Sequence, residues 1–161
     1  MRGNIKKLQD RLLAAPAESE TLQSLVKSEM ASSKKHTASG GLLWLTRGLK
    51  FTGLAMRNNL DNNKTYDMTA ASGAAQGNQE ELSSSFTSAY NDTLSKHHSF
   101  VVRPVFSLAM KACPYRNDFL GKLGNDREKV MTQLEEWVSA LEKVVAIVEP
   151  WIEGLQKSIK G

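Results

Sequence analysis

The stretch SGGLLWLTRGLKFTGLAMRNN (Ser39–Asn59) decides the fold class. Placed at about 100° per residue, Leu42, Leu45, Leu49, Met56 and Leu60 fall on one side of a helix. Trp44, Phe51 and Ala55 lie together at one margin of that broad apolar face, with Arg47 and Asn58 just beyond it. Gly48 stands one turn from Trp44 and leaves room beside the indole. This spacing predicts a long amphipathic helix over about 39–59, and the same period recurs on both sides of it. Towards the N-terminus, Ile5, Leu8 and Leu12 mark a helix closed by Pro16, and Leu22, Leu25, Val26 and Met30 mark a second. Ser32–Ser39 is a polar connector.

Towards the C-terminus, residues 61–79 (DNNKTYDMTAASGAAQGNQ) are polar and rich in small side chains, and the expectation is a long loop. Leu82, Phe86, Ala89, Tyr90 and Leu94 give the next helix. Another is expected to start near His97 and to carry His98, Val101, Val105, Leu108 and Ala112 on an apolar stripe. Pro104 requires that this helix either begin shortly before it or kink there. Pro114 ends it, and a short helix follows over Tyr115–Leu123. In the last segment Val130, Leu134, Trp137, Leu141, Val144, Val148, Trp151 and Leu155 alternate spacings of four and three, a heptad pattern. Val138, Val145 and Ile152 widen the stripe and Pro150 interrupts a long coil, so the segment is read as a packing helix. An oligomeric coiled coil over Val130–Leu155 is the weaker alternative. With no sustained alternation of strand type, the chain is expected to be all-α, a single domain over 1–161.

Its 161 residues match one domain, and such a chain buries roughly 70% of its unfolded surface. With 40% hydrophobic and 24% charged residues, wholesale disorder, a collagen repeat and a disulfide scaffold are excluded. One cysteine, Cys113, forms neither an intramolecular disulfide nor a cysteine-based zinc site. No stretch approaches the ~18 apolar residues of a membrane-spanning helix. The opening MRGNIKKLQD lacks the apolar segment of a secretory signal. A cytoplasmic protein is therefore expected, and the sequons at Asn63 and Asn91 are read as chance matches. Residues 1–57 hold 10 Lys/Arg against 4 Asp/Glu, and the remainder 11 against 13. The basic first third suits an anionic surface or a plain solvated face. No basic run exceeds two residues, so nucleic acid is not an expected partner.

No nucleophile elbow, metal-ligand helix motif or phosphate-binding glycine loop is present. Catalysis, a metal and a cofactor are not expected. His97 and His98 are neighbours and would point about 100° apart on a helix, too far to clasp one metal easily. By spacing alone, His98 reads as a hydrogen-bonded core histidine. A broad apolar helix face with a tryptophan at its margin suits either an enclosed apolar ligand or an ordinary core, and periodicity does not separate the two.

Four blocks in order resemble the glycolipid transfer protein family: GNIKKL (Gly3–Leu8), GGLLWLTRGLKF (Gly40–Phe51), TLSKHHSFVVRPVF (Thr93–Phe106) and ACPYRNDFLGKLG (Ala112–Gly124). The likeness runs through nearly the whole chain and is weakest at 61–79. LAAPAESETLQSLVKSE (Leu13–Glu29) is most similar to the fungal heterokaryon-incompatibility members. The resemblance implies a two-layer all-helical sandwich that carries a sphingolipid between membranes without chemistry, as a cytoplasmic monomer that docks transiently on the bilayer. It implies that Asn4 and Lys7 hydrogen-bond the sugar, that Trp44 stacks under it and that Arg47 orients the headgroup. It further implies that His98 hydrogen-bonds the ceramide amide carbonyl and that Phe100 docks at the bilayer.

An indole face suits the C–H side of a pyranose, and buried acyl chains contribute roughly 0.8 kcal/mol per CH₂. Phe100 beside Lys96, His97 and Arg103 gives an amphipathic patch suited to an interface. Two features depart from the family pattern. The family's aspartate four positions before the asparagine would fall ahead of Met1, and so would the first helix and the start of the second. The expected sandwich is thus N-terminally incomplete. Phosphate-selective members carry an arginine where Trp44 stands, so Trp44 favours a glucosylceramide-like ligand. Lys6, Lys7 and Arg47 keep ceramide-1-phosphate transfer open. A lipid-sensing or interaction module that binds without transferring is a further alternative.

Overall fold

The computed structural model describes Met1–Ile159, and among these residues there is no β-strand. The helices are α1 (Arg2–Ala14), α2 (Leu22–Ser32), α3 (Thr37–Ala71), α4 (Leu82–Asp92), α5 (Val102–Lys111), α6 (Arg116–Leu123), α7 (Arg127–Gly154) and α8 (Gln156–Ile159). Single 3-10 turns cover Pro16–Glu18 and Ser95–His97. The expected all-α class is observed. None of these helices is long and apolar enough to cross a membrane.

Local chemistry accounts for the helix ends. Thr21 and Ser24 form a reciprocal capping box at the start of α2: the Thr21 hydroxyl accepts from Ser24 N–H and the Ser24 hydroxyl accepts from Thr21 N–H, both at 3.0 Å. The start of α3 is capped from outside. The buried Glu29 carboxylate on α2 accepts from Ala38 N–H (2.8 Å), Ser39 N–H (2.7 Å) and the Ser39 hydroxyl (2.6 Å). An anion there satisfies orphan donors and meets the positive end of the helix dipole. Pro16 opens the 3-10 turn that follows α1, and Pro104 lies in the first turn of α5, where its missing N–H costs nothing.

The chain divides into two compact units, Met1–Leu49 with the segment from Val144 onward, and Lys50–Lys143. Both α3 and α7 contribute to each. The first unit closes over Leu25, Val26, Ala38, Leu42, Leu43 and Ile152, with Leu8, Met30 and Trp151 packed against them. In the second unit Phe51, Ala55, Ala89, Tyr90, Leu94 and Met110 form one cluster, and Met56, Leu60, Leu82 and Val138 another.

The structure corrects three sequence expectations. First, the long helix does not stop near Asn59 but continues to Ala71, so the 61–79 loop shrinks to 72–81. Its polar residues have tertiary partners. Asn63 is fully buried; its side-chain N–H groups donate to Asn59 O and Glu80 O, and its Oδ1 accepts from Glu80 N–H (2.7 Å). Asp67 accepts from Arg116 (2.6 and 3.0 Å) and Arg127 (2.9 Å). The shortened loop turns at Gly73 and Gly77, both at positive φ.

Second, the heptad residues of α7 are not the centre of its buried face. Val138, Val145 and Ile152 are buried, whereas Trp137 and Val144 are about half exposed (51% and 53%). Third, α5 begins at Val102, so His98 precedes the helix. Only Phe106 and Met110, one turn apart, pack inward from it, and Val101, Val105 and Leu108 are exposed.

Arg116 is 1% exposed, a buried cation that also donates from Nε to Asn59 Oδ1 (2.7 Å). Burial alone would raise the Asp67 pKa, but hydrogen bonds from Arg116 and Arg127 outweigh it, and the carboxyl titrates below its ordinary value. A depressed carboxylate pKa contributes stability above the unfolded value of about 3.9, and that contribution is lost as pH falls through the lower folded value. Asp67→Asn leaves Arg116 uncompensated, at a cost of about 2–3 kcal/mol given the residual exposure of Asp67. The expected result is a midpoint roughly 5–10 °C lower at neutral pH, with the gap to wild type narrowing as denaturation is repeated below pH 4. A gap independent of pH would refute this role.

Candidate functional site

The first unit builds a surface site from α1 and α3. A Cβ placed on Gly41 would lie 3.2 Å from both Asn4 O and Lys7 Cβ, and one placed on Gly48 would lie 3.2 Å from Met1 Cε. The helices therefore run antiparallel in close contact, with the start of α1 at Gly48 and its second turn at Gly41. A side chain at Gly41 would have to push α1 back by a few tenths of an ångström, because the α1 backbone and Lys7 occupy that space. Trp44, half-buried, falls between these two contacts along α3. The room expected beside the indole at Gly48 is filled by the Met1 side chain. Asn4 and Lys7 lie one turn apart on α1, and Lys7 Nζ donates to Asn4 Oδ1 at 3.3 Å.

Arg47 is not beyond the apolar margin as its helical angle suggests, but buried at 4% exposure. Nε and Nη2 form a bidentate pair with Glu153 (2.6 and 2.7 Å), and Nη2 also donates to Gln156 Oε1 (2.5 Å). Its charge is thus met from α7 and α8. Nη1 is buried without a hydrogen-bond partner. The guanidinium carbon lies 5.2 Å from the centre of the Trp44 ring, within cation–π range. The ion pair with Glu153 therefore fixes the guanidinium that supports the indole.

The second unit holds His98 and an aromatic cluster. His98 has extended backbone (φ −97, ψ 140) after the Ser95–His97 turn. Its Nδ1 lies 3.0 Å from Tyr90 Oη and its ring 4.4 Å from that of Phe106. Tyr90 stacks on Phe106 (5.3 Å, 8°) and receives Phe51 edge-on (6.5 Å, 88°). Burial, and then the positive charge of Arg103, push the His98 pKa below its ordinary value, and burial raises that of Tyr90. At neutral pH the pair is a neutral imidazole and a protonated phenol. In the tautomer in which the phenol donates to Nδ1, the imidazole proton lies on Nε2. Phe100, two residues on, is 83% exposed, beside exposed Val101, Val105 and Leu108. The same unit has an apolar pocket of about 500 Å³ lined by Thr52, Met56, Phe86, Phe119, Leu134 and Trp137.

The structure thus brings Asn4, Lys7, Trp44 and Arg47 together in one unit and His98 and Phe100 in the other. Glu153 escapes sequence reasoning because it lies 106 residues from Arg47. Tyr90 belongs to the apolar stripe of α4 in the sequence, and its hydroxyl is what pairs with His98. No group of three or more acidic, histidine or cysteine side chains able to hold a metal occurs among the described residues.

In NMR titration His98 is expected to titrate below the ordinary histidine value of about 6.5. Phe106→Ala, which lets water reach the ring, should move it back up. An unshifted His98 in wild type would contradict the half-buried, neutral assignment.

Residues 1–125 match the family model for the glycolipid transfer protein (GLTP). A glycolipid transfer protein of Aureobasidium melanogenum is 54% identical over 142 residues, which cover 88% of this chain and 63% of that protein. The chain therefore spans just under two thirds of that relative. The crystal structure of HET-C2, a fungal glycolipid transfer protein, superposes with a TM-score of 0.76 at 46% identity, covering 94% of this chain and 69% of that one. A FAPP2 structure, described as selecting simple glycosphingolipids with the GLTP fold, gives 0.70 at 29% identity, covering 94% and 70%. With the helical fold and the ordered sequence blocks, these matches show that the chain belongs to the glycolipid transfer protein family.

Proposed function

We propose that this chain binds a neutral glycosphingolipid of the glucosylceramide class and transfers it between membranes without a covalent step. The observation that carries this reading is the close contact at Gly41, which sets the Asn4 and Lys7 side of α1 against the helix that presents Trp44. Hydrogen-bonding groups beside an aromatic face are what a sugar ring needs. Arg47 is assigned to orienting the headgroup side through Trp44, held by Glu153. Because that carboxylate already meets the cation, the site is better suited to a neutral sugar than to the phosphate of ceramide-1-phosphate.

The His98 Nε2–H is the assigned donor to the ceramide amide carbonyl, poised by Tyr90 at Nδ1. The apolar pocket in the second unit provides room for hydrocarbon. The exposed Phe100 patch is assigned to transient docking on the bilayer. The working unit is proposed to be a cytoplasmic monomer acting as a single domain.

Transfer of labelled glucosylceramide between vesicles tests the reading, with ceramide-1-phosphate as the comparison lipid. Wild type is expected to prefer glucosylceramide. Trp44→Ala should cut transfer roughly thirtyfold, the effect of removing about 2 kcal/mol of contact, with helicity unchanged. Retained transfer by Trp44→Ala would remove the stacking role, and saturable binding without transfer would make the chain a sensing module. Gly41→Ala gives an independent check. Alanine favours the helix by about 1 kcal/mol, yet its Cβ must displace α1 by a few tenths of an ångström. Glucosylceramide binding is therefore expected to weaken about tenfold while the thermal midpoint holds within a few degrees. Unchanged binding would show that the α1 contact does not shape the site.

A further inference from the structure

A second groove lies in the Lys50–Lys143 unit, at the foot of the exposed apolar patch. It has a volume of about 330 Å³ and is lined by Thr87, Asn91, Ser95, Phe100, Arg103 and Ser107 among others. We infer that this groove binds the phosphate of an acidic phospholipid at the membrane surface, with Arg103 as its cation. The inference rests on the membrane docking proposed above and names the class of surface that docking selects.

Three observations carry it. Arg103 is anchored without being neutralised: its Nε donates to the carbonyls of Ser95 (3.0 Å) and His98 (3.2 Å), and its terminal nitrogens hydrogen-bond no other described residue. A guanidinium held by neutral carbonyls keeps its full charge, and Arg103 is exposed and lines the groove, so its remaining donors are available to a phosphate. The hydroxyls of Ser95 and Ser107 and the amide of Asn91 supply neutral donors along the same groove.

The second observation is charge. Residues 93–117 contain Lys96, Arg103, Lys111 and Arg116 and no aspartate or glutamate. Arg116 is paired with Asp67, and Lys96, Arg103 and Lys111 form no salt bridge among the described residues. Asp92, at the end of α4, is exposed and does not line the groove.

The third is position. Phe100 lines the groove and is also the most exposed large apolar side chain, at 83%, with Val101, Val105 and Leu108 beside it. An aromatic side chain entering the bilayer boundary brings the groove to the level of lipid phosphates. A soluble anion would have no use for the surrounding apolar surface.

The test is co-sedimentation of the full chain with phosphatidylcholine vesicles, plain or doped with phosphatidylserine. Wild type is expected to prefer the doped vesicles. Arg103→Gln should lose about fivefold in affinity for them, the value of one cation at an acidic surface. Because that change also removes the bonds to Ser95 and His98, Ser107→Glu serves as a second variant. It leaves those bonds intact, puts a carboxylate in the groove and should lose at least as much. Arg103→Lys keeps the charge but not the fork, and it too is expected to bind less tightly. Full binding by Arg103→Lys, or by Ser107→Glu, would show diffuse charge and overturn the groove assignment.

Glycerol phosphate should compete only weakly. Competition as tight as vesicle binding would make the occupant a soluble phosphate and overturn the lipid assignment. Wild-type transfer of glucosylceramide between plain phosphatidylcholine vesicles reads the proposed function separately. A protein that transfers there but shows no preference for doped vesicles keeps that function and loses this inference.

Discussion

The carboxylate of Glu29 at the start of α3 is the interaction on which most of the structure depends. A 35-residue helix is unusually long for a chain of this size, and its N-terminus is buried, where unmet N–H groups are costly. Three hydrogen bonds to one buried carboxylate satisfy that end. The C-terminal part is held differently, by Asn63 on the Glu80 backbone and by Asp67 on Arg116. Held at both places, α3 presents Gly41, Trp44 and Arg47 from its N-terminal third and Phe51, Ala55 and Met56 to the second unit's core.

The ionic groups share one pattern. Arg47, Arg57 and Arg116 each reach a carboxylate on a different helix. Arg57 on α3 pairs with Glu142 and Glu135 on α7, and the hydrogen bonds it donates to those two carboxylates push its pKa far up. Bidentate arginine pairs fix orientation as well as distance, which two smooth apolar helix faces do not. The burial of Arg116 and Arg47 is tolerated because almost every donor is matched; in Arg47 the exception is Nη1. An unmatched donor is costly in a buried site.

Much of this was legible in the sequence, and the failures have a common cause. Local signals held: α1 closes just before Pro16, Pro104 sits in the first turn of α5, and the apolar period located all the major helices. The polarity of 61–71 misled because its partners lie elsewhere in the chain, Glu80 17 residues from Asn63 and Arg127 60 residues from Asp67. A polar helical segment with buried partners looks like a loop until those partners are placed. The α5 stripe failed in the opposite sense. Val101, Val105 and Leu108 repeat with a core-like period, yet they face outward. Periodicity reports that a face is apolar and not what covers it. The candidate site residues come from the family blocks, whereas Glu153 and Tyr90, which pair with Arg47 and His98, are marked by no local pattern.

The treatment of two arginines separates what the protein would carry from where it would dock. Arg47 is buried against Glu153, so its charge is cancelled close to the indole and little field reaches a ligand there. Arg103 is exposed and held only by carbonyl dipoles, so its charge persists outside. Exchanging these environments would reverse the preference: a free guanidinium beside Trp44 would draw a phosphate into the sugar position, and a paired one at the docking face would leave the apolar patch without electrostatic guidance. On the proposed reading, a neutral cargo and an anionic surface are compatible demands on one small protein because a single carboxylate, Glu153, is present at one arginine and absent from the other.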